Sequence, residues 1–328
     1  MEPVASTMNE PCTVAVLMGG PSGEHDVSLR SGRGVVEALA RRGWTAEPIV
    51  IPQALTVEEA CAFARRALQG AAPGAVFIAL HGPFGEDGTI QGLCEDLHLA
   101  YTGSTARTSR LGMDKAASKQ RFEAAGLSVP RGQVVDRSAS APDVEALRYP
   151  LVVKPTGQGS SLGVSIVARK AELPAALDAA GRYGERILIE EFVAGRELTV
   201  GVLGDEPLPI VEVRPRHPFF DYTAKYTAGL TEYLVPAPLA PERTAAVQAA
   251  GLAAHRALGC RHFSRTDLIL REDGVPVILE VNTIPGLTPT SLLPKAAACV
   301  HLSYDALCEQ LVMMALHGTP HAAGHAIS

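Results

Sequence analysis

The sequence lacks an excess of positive charge. Its 29 lysines and arginines face 35 acidic residues, for a formal charge of −6. A nucleic-acid-binding surface needs a basic face to neutralise phosphates, so no nucleic-acid partner is expected. Any small phosphate-bearing ligand must be met by a few cations gathered locally. Paired cysteines are missing too. Cys12, Cys61, Cys94, Cys260, Cys299 and Cys308 contain no CxxC spacing, which argues against a zinc site or a disulfide framework and for reduced thiols in the cytoplasm. No apolar run approaches the ~20 residues that span a bilayer. The first eleven residues lack the basic-then-apolar order of a signal peptide. Absent as well are GxGxxG and GxxxxGK[ST], the fingerprints of Rossmann and Walker nucleotide sites.

What is present is the balance of a folded chain: 328 residues, 47% hydrophobic and 20% charged, enough for two or three domains. Residues 13–18 form a short apolar run that ends in Gly19-Gly20-Pro21-Ser22-Gly23. Leu29, Val35, Val36 and Leu39 follow at helical spacing. A second strand (48–51), a second helix (57–68) and a third strand (75–80) complete a βαβαβ rhythm. That rhythm predicts an open parallel sheet with ligands beyond the carboxyl ends of its strands. One helix is predicted over 113–125. Strands at 150–154 and 164–167 enclose a glycine-rich segment, followed by a helix at 173–183 and a strand at 186–190. Further strands are predicted at 198–203, 263–270 and 275–281, with helices at 241–258 and 303–316. The fold class is therefore mixed, α/β at the start and α+β after it.

Residues 263–282 carry the most chemical information. Asp273-Gly274 is a two-residue hairpin signal. With Glu272 paired to Val275, Asp267 falls opposite Glu280 and Arg265 opposite Asn282, all on one face of the sheet. Two carboxylates and an amide oxygen suit Mg²⁺ or Mn²⁺ shared with phosphate oxygens. The alternative is a solvated Asp–Glu pair, but like charges directly opposite are destabilising and call for a cation. Lys154-Pro-Thr-Gly-Gln-Gly-Ser-Ser-Leu-Gly163 could turn backbone N–H groups toward an anion or be a plain surface loop. His81-Gly-Pro-Phe-Gly-Glu-Asp-Gly88 offers a strand-end histidine that could orient a carboxylate or be structural. Asp221-Tyr-Thr-Ala-Lys-Tyr226 lies in an aperiodic stretch and reads as a lid or a loop.

These pieces occur in a telling order: Gly19-Gly-Pro-Ser-Gly-Glu-His-Asp-Val-Ser28, His81 to Gly88, Met113-Asp-Lys115, Lys154 to Gly163, Asp221 to Tyr226, Arg265-Thr-Asp267 and Glu280-Val-Asn-Thr-Ile-Pro-Gly286. The series resembles the D-alanine–D-alanine ligases of the ATP-grasp superfamily from about residue 13 to 316. The resemblance implies a Rossmann-like N-terminal domain (1–106), a central ATP-grasp subdomain (107–194), a C-terminal one carrying the metal site (195–317) and a loose tail (318–328). It implies ATP as substrate, two Mg²⁺ or Mn²⁺ ions, D-alanine as the other substrate, and a homodimer. Lys115 and Lys154 would hold phosphates beneath the 157–163 loop, including Gly159 and Ser161. Glu190 and Val193 would meet adenine and Glu197 the ribose. Asp267, Glu280 and Asn282 would bind metal. Asp26, His81 and Ser160 would position the first D-alanine, with Tyr226 bonded to Ser160. Lys225, Ser291 and the Leu292 backbone would hold the second carboxylate. Arg265 and the Gly286 N–H would stabilise the oxyanion. Position 26 departs from the family pattern, carrying Asp where Glu is usual. A dinucleotide-dependent oxidoreductase and a non-catalytic binding protein are the rival classes. A D-alanine–D-lactate or D-alanine–D-serine ligase is the nearest rival, though Tyr226 and Lys225 favour an amine acceptor.

Overall fold

The computed structural model describes residues 12–138, 144–159, 162–215 and 231–317. Strand β1 (Val14–Gly19) pairs in parallel with β2 (Ala46–Ile51) on one side and β3 (Ala75–Ile78) on the other; α1 (His25–Arg41) and α2 (Val57–Ala71) are the crossovers. Every residue of β1 is buried, as in a strand covered on both faces. The open parallel sheet expected from the sequence is present. Helix α2 starts on a capping box, with Thr56 and Glu59 satisfying each other's backbone N–H groups, as an S/T-x-x-E start predicts.

After α3 (Thr89–Asp96), the helix expected over 113–125 is present as α5 (Lys115–Ala124), and a further helix, α4 (Ala106–Met113), runs directly into it. The break is Asp114, whose carboxylate accepts from the N–H groups of Ala116 (3.0 Å) and Ala117 (3.1 Å). Aspartate is among the strongest N-caps, and here it ends one helix by starting another. Lys115 is thereby the first residue of α5.

Two antiparallel sheets follow. The first contains β4 (Gly132–Asp136), β5 (Leu151–Pro155), β6 (Ser165–Val167) and, after α6 (Leu173–Gly181), β7 (Arg186–Glu191), in the order β4-β7-β5-β6. The second has β8 (Arg196–Leu203), β9 (Glu206–Pro207), β10 (Val211–Pro215) and β11 (Thr231–Leu234). After α7 (Pro241–Leu258) it is completed by β12 (Phe263–Leu270) and β13 (Pro276–Asn282). The order is β11-β10-β8-β12-β13, with β9 on β8. One face of this sheet packs Leu198, Val200, Leu268 and Ile278 on Val247 and Ala254 of α7. The alternate residues, among them Glu197, Thr199, Arg265 and Asp267, take the other face.

Helices α8 (Leu292–Ala298) and α9 (Tyr304–His317) bring the chain back to its start. Leu293, Leu307 and Leu311 share one core with Val14, Val16 and Phe77. Arg41 of α1 donates two hydrogen bonds of 2.8 Å to Asp305 of α9. This packing joins the parallel sheet to the second antiparallel sheet. No helix among the described residues is long and apolar enough to cross a membrane.

Candidate active site

The β12–β13 hairpin has Asp267 opposite Glu280 and Arg265 opposite Asn282, the pairing anticipated from the sequence. The route to it differs from expectation. Arg271, not Glu272, pairs with Val275, through Arg271 N–H to Val275 C=O at 3.1 Å. The loop therefore has three residues, with Gly274 at φ +87°, a left-handed value glycine adopts without strain. A register shift between Asp267 and Leu268 leaves Leu279 as an extra residue on β13. The longer loop and the bulge offset each other by one residue, so the pairing beyond the bulge is unchanged. The bulge also breaks alternation, and Leu279 and Glu280 line the same cleft, as bulges re-aim side chains.

The cation that two facing carboxylates require is supplied by the protein itself. Arg265 grips Asp267 with two hydrogen bonds of 2.7 Å, and Asn282 donates to Asp267 Oδ2 at 3.0 Å. Lys115 Nζ lies 2.9 Å from Glu280 and donates to the Gln158 carbonyl at 2.8 Å. Burial works against the Arg265 charge, yet Asp267, aided by Glu280 and Glu86, outweighs it and pushes the guanidinium pKa up. Among the described residues no three His, Cys, Asp or Glu gather as a metal cluster. The donor set is two carboxylates plus the Asn282 amide, all oxygen, in a place that already stabilises positive charge. It fits a hard divalent ion.

The cleft, about 650 Å³, opens between the two antiparallel sheets. Val152, Ile166 and Phe192 form one apolar wall, Ile269 and Leu279 the other, a slot suited to a planar ring. Ile166 and Phe192 are 38% and 44% exposed, so apolar surface is open there to a ligand. Behind the first wall, Glu190 is buried and ion-paired to Lys154 (2.6 Å) and Lys119 (2.8 Å). Burial opposes both charges. The two lysines nevertheless hold the Glu190 pKa below its usual value, and Glu190 holds that of Lys154 above its own.

The third component stands at the carboxyl end of the parallel sheet. His81 is 4% exposed, with Nε2 3.1 Å from Ser31 Oγ and Nδ1 3.5 Å from Glu86. Gly82 adopts φ +70°, and a Cβ there would sit 2.9 Å from a Glu24 carboxylate oxygen. Glu24 therefore lies over the His81–Gly82 turn. Asp26 is exposed in the first turn of α1. Glu24, Ser28, Ser31 and Val35 form the inward stripe at i, i+4, i+7 and i+11, and a residue two positions along points about 200° away.

Of the residues named from the sequence, Lys115, Lys154, Gly159, Glu190, Val193, Glu197, Asp267 and Glu280 line one cleft. Arg265 and Asn282 adjoin it through Asp267. Gly286 and Ser291 are neighbours, a Cβ on Gly286 falling 3.0 Å from the Ser291 hydroxyl. Ser291 N-caps α8, and Leu292 is its first residue. Asp26 is exposed and makes no hydrogen bond to the His81 corner among the described residues. Ser160, Ser161, Lys225 and Tyr226 lie outside the described residues, as does the rest of the Asp221 to Tyr226 segment. Sequence reasoning gave no part to Lys119, which the structure pairs with Glu190, nor to Glu24 beside Gly82. The signal for Lys119 was its spacing: lysines at 115 and 119 are a like-charged i, i+4 pair that needs acids nearby.

An ATP-grasp fold is the class this arrangement defines: two antiparallel sheets closing on a cleft with lysines on one wall and an acidic hairpin on the other. The family model described as D-ala D-ala ligase C-terminus matches residues 122–313, and that described as D-ala D-ala ligase N-terminus matches residues 56–104. The D-alanine–D-alanine ligase of Syntrophotalea carbinolica is 44% identical over 303 residues, 91% of this chain and 94% of that protein. That of Halalkalibacterium halodurans is 43% identical over 312 residues, covering 92% and 99%. The D-alanine–D-alanine ligase of Bacillus anthracis complexed with ATP superimposes with a TM-score of 0.80 at 30% identity, covering 93% of this chain and 97% of that one. The VanG D-Ala:D-Ser ligase of Enterococcus faecalis gives 0.80 at 31% identity, covering 93% and 100%. The chain belongs to the D-alanine–D-alanine ligase family.

Proposed function

We propose that this protein joins two D-alanines at the expense of ATP, releasing ADP and phosphate and supplying D-alanyl-D-alanine for peptidoglycan precursors in the cytoplasm. The observation that carries the reading is the Asp267–Glu280 pair facing the lysine-bearing wall of one cleft. Lys154 and Lys115 bind the ATP phosphates, the apolar slot takes the adenine with Glu190 and Val193 at its edge, and Glu197 meets the ribose. Asp267, Glu280 and Asn282 would hold two Mg²⁺ or Mn²⁺ ions, which would supply charge neutralisation for the phosphoryl group. Glu24, in place of Asp26, receives the first D-alanine's ammonium beside His81. The carboxylate of that first D-alanine takes the γ-phosphoryl from ATP, giving D-alanyl phosphate and ADP. The second D-alanine sits against Ser291 and the Leu292 backbone. Its ammonium gives one proton to solvent; the free amine attacks the acyl carbon and phosphate leaves, taking up the proton the nitrogen then sheds, while Arg265 and the Gly286 N–H stabilise the oxyanion. The division at 1–106, 107–194 and 195–317, and a homodimeric assembly, are part of this reading.

The similarity to a D-Ala:D-Ser ligase, equal in TM-score to that with the D-alanine–D-alanine ligase, makes acceptor choice the point to test. Phosphate release is measured with purified protein, ATP and Mg²⁺ against D-alanine alone and D-alanine with D-serine, D-lactate or L-alanine, and products are identified by mass. D-Alanyl-D-alanine should dominate. A preference for D-serine or D-lactate would replace the acceptor assignment, and no D-alanine-dependent phosphate release would refute the ligase reading.

A further inference from the structure

The face of the second sheet that carries Asp267 holds one hydroxyl with nothing to bond. Thr199, in the middle of β8, is 3% exposed, and its Oγ1 finds no hydrogen-bond partner among the described residues. Buried polar groups are normally satisfied, and an exception calls for an explanation. Valine would fill the same β-branched space without an unmet donor, so local packing gives no reason for threonine.

Register supplies a reason. Thr199 stands directly opposite Asp267, and Asp267 directly opposite Glu280. The three side chains form one row across β8, β12 and β13, and cross-strand neighbours in such a row have Cβ atoms about 4.5–5.5 Å apart. A hydroxyl on Thr199 can therefore reach the Asp267 carboxylate by rotation about its own χ1. In the ligand-free site the orientation of Asp267 is set by Arg265 and Asn282: Oδ1 accepts from Arg265 Nε, and Oδ2 from Arg265 Nη2 and Asn282 Nδ2. An ion on Asp267 competes with those donors and turns the carboxylate. Ligating carboxylates are held in place by hydrogen bonds from groups behind them. Among the described residues, the unused donor in that row is Thr199.

We propose that Thr199 is a positioning residue for the metal site: when a divalent ion draws Asp267 away from Arg265, the Thr199 hydroxyl donates to Asp267 and fixes its orientation. The inference rests on the reading of Asp267 as a metal ligand. It does not require Thr199 to touch the ion or the substrate. Its signature is a hydroxyl that matters only in the loaded state.

The test titrates Mn²⁺ into the full-length protein with a non-hydrolysable ATP analogue, reading free Mn²⁺ by electron paramagnetic resonance. Thr199→Val should weaken Mn²⁺ about 10-fold or more, while Thr199→Ser stays within about threefold of the parent. The melting temperature of ligand-free Thr199→Val should equal or exceed that of the parent, because the lost group had no partner. The fall in kcat at low metal should be recovered by raising the metal concentration, with KM for D-alanine unmoved. Parent-like Mn²⁺ affinity in Thr199→Val overturns the proposal, and so does an equal loss in Thr199→Ser. Should Thr199→Val not fold, Thr199→Ala is read by the same criteria. Asp267→Asn separates the two claims: if it binds Mn²⁺ as the parent does, the metal reading itself fails.

Discussion

The two walls of the cleft hold charge in opposite ways. On the first, Glu190, Lys154 and Lys119 are closed in on one another, and their ion pairs of 2.6 and 2.8 Å are buried. On the second, Asp267 and Glu280 are partly open and are neutralised by Arg265 and Lys115. Lys115 is not a member of that sheet; it reaches across from α5. A buried ion-pair network is costly to break, and it holds Lys154 rigidly at the cleft wall with N–H groups left to donate to a ligand. A carboxylate pair bridged by a borrowed cation can exchange partners. The difference separates charge fixed in place before a ligand arrives from charge whose partner a ligand can replace.

That contrast can be broken by substitution. The largest effect is expected on the exchangeable wall. Glu280→Gln should lower turnover by at least about 100-fold at saturating substrate while leaving the melting temperature near the parent value. Near-normal turnover at high Mg²⁺ would show that Glu280 is not a ligand. On the closed wall the order reverses, with stability the first casualty. Glu190→Ala strands two buried ammonium groups and should cost about 3–5 kcal/mol, read as a lowered midpoint in denaturant unfolding. A loss below about 1 kcal/mol would mean that the lysines reach solvent and that the wall is not closed.

A third substitution pair sharpens the comparison at the His81 corner. Glu24→Gln should raise KM for the first D-alanine by about 10- to 100-fold, the range of one charged hydrogen bond of about 1.5–3 kcal/mol. Asp26→Asn should change it by less than about twofold. The reverse result would restore Asp26 as the substrate contact.

The smallest effect is one of pH. Burial pushes the pKa of both His255 and His262 down to about 4, whereas in the unfolded chain each titrates near about 6.5. Unfolding takes up protons between those values. Their contribution is therefore intact above pH ~6.5 and is lost as pH falls toward 4. The Glu190 pKa is depressed, so the closed wall's share is full above the ordinary carboxylate range and is lost as pH falls through and below it. A melting temperature that declines between pH 6.5 and 4 is thus expected from the histidines. His262→Gln should flatten that decline by on the order of 1–3 kcal/mol, since glutamine can still accept from the Gly103 N–H that His262 Nδ1 receives at 3.1 Å. An unchanged slope would assign the acid sensitivity elsewhere.

Much of this site was legible because strands alternate. Period two and a turn signal were enough to place Asp267, Glu280, Arg265 and Asn282 on one face, although the loop is a residue longer than the turn signal implied and the bulge at Leu279 absorbs the difference. Helix phase was the weaker guide. Glu24 precedes the first helical residue, His25, so a periodicity read from Leu29 onward does not extend to it; Asp26 came from the family resemblance, not from helix phase. Asp114 was read as part of a continuous helix because a cap is a property of backbone geometry, while its neighbours all favour helix. Strands β10 and β11 went unread for a related reason. They have five and four residues, and prolines at 207, 209 and 215 interrupt the apolar alternation around β10.

The packing of α9 against β1, β3 and α1 has a consequence for how the chain is made. Synthesis delivers the first strand some three hundred residues before the helix that completes its core, and domains emerging from a ribosome tend to fold in the order they appear. Here the parallel sheet is finished by Leu307, Leu311 and Val312, so its earliest compact form carries an uncovered apolar face through most of translation. Contacts this distant in sequence are slow to form. The nascent chain therefore has its greatest need of a chaperone at its oldest end, and a ribosome stalled just short of residue 304 should hold an N-terminal unit far more open to protease than the same residues in the released protein.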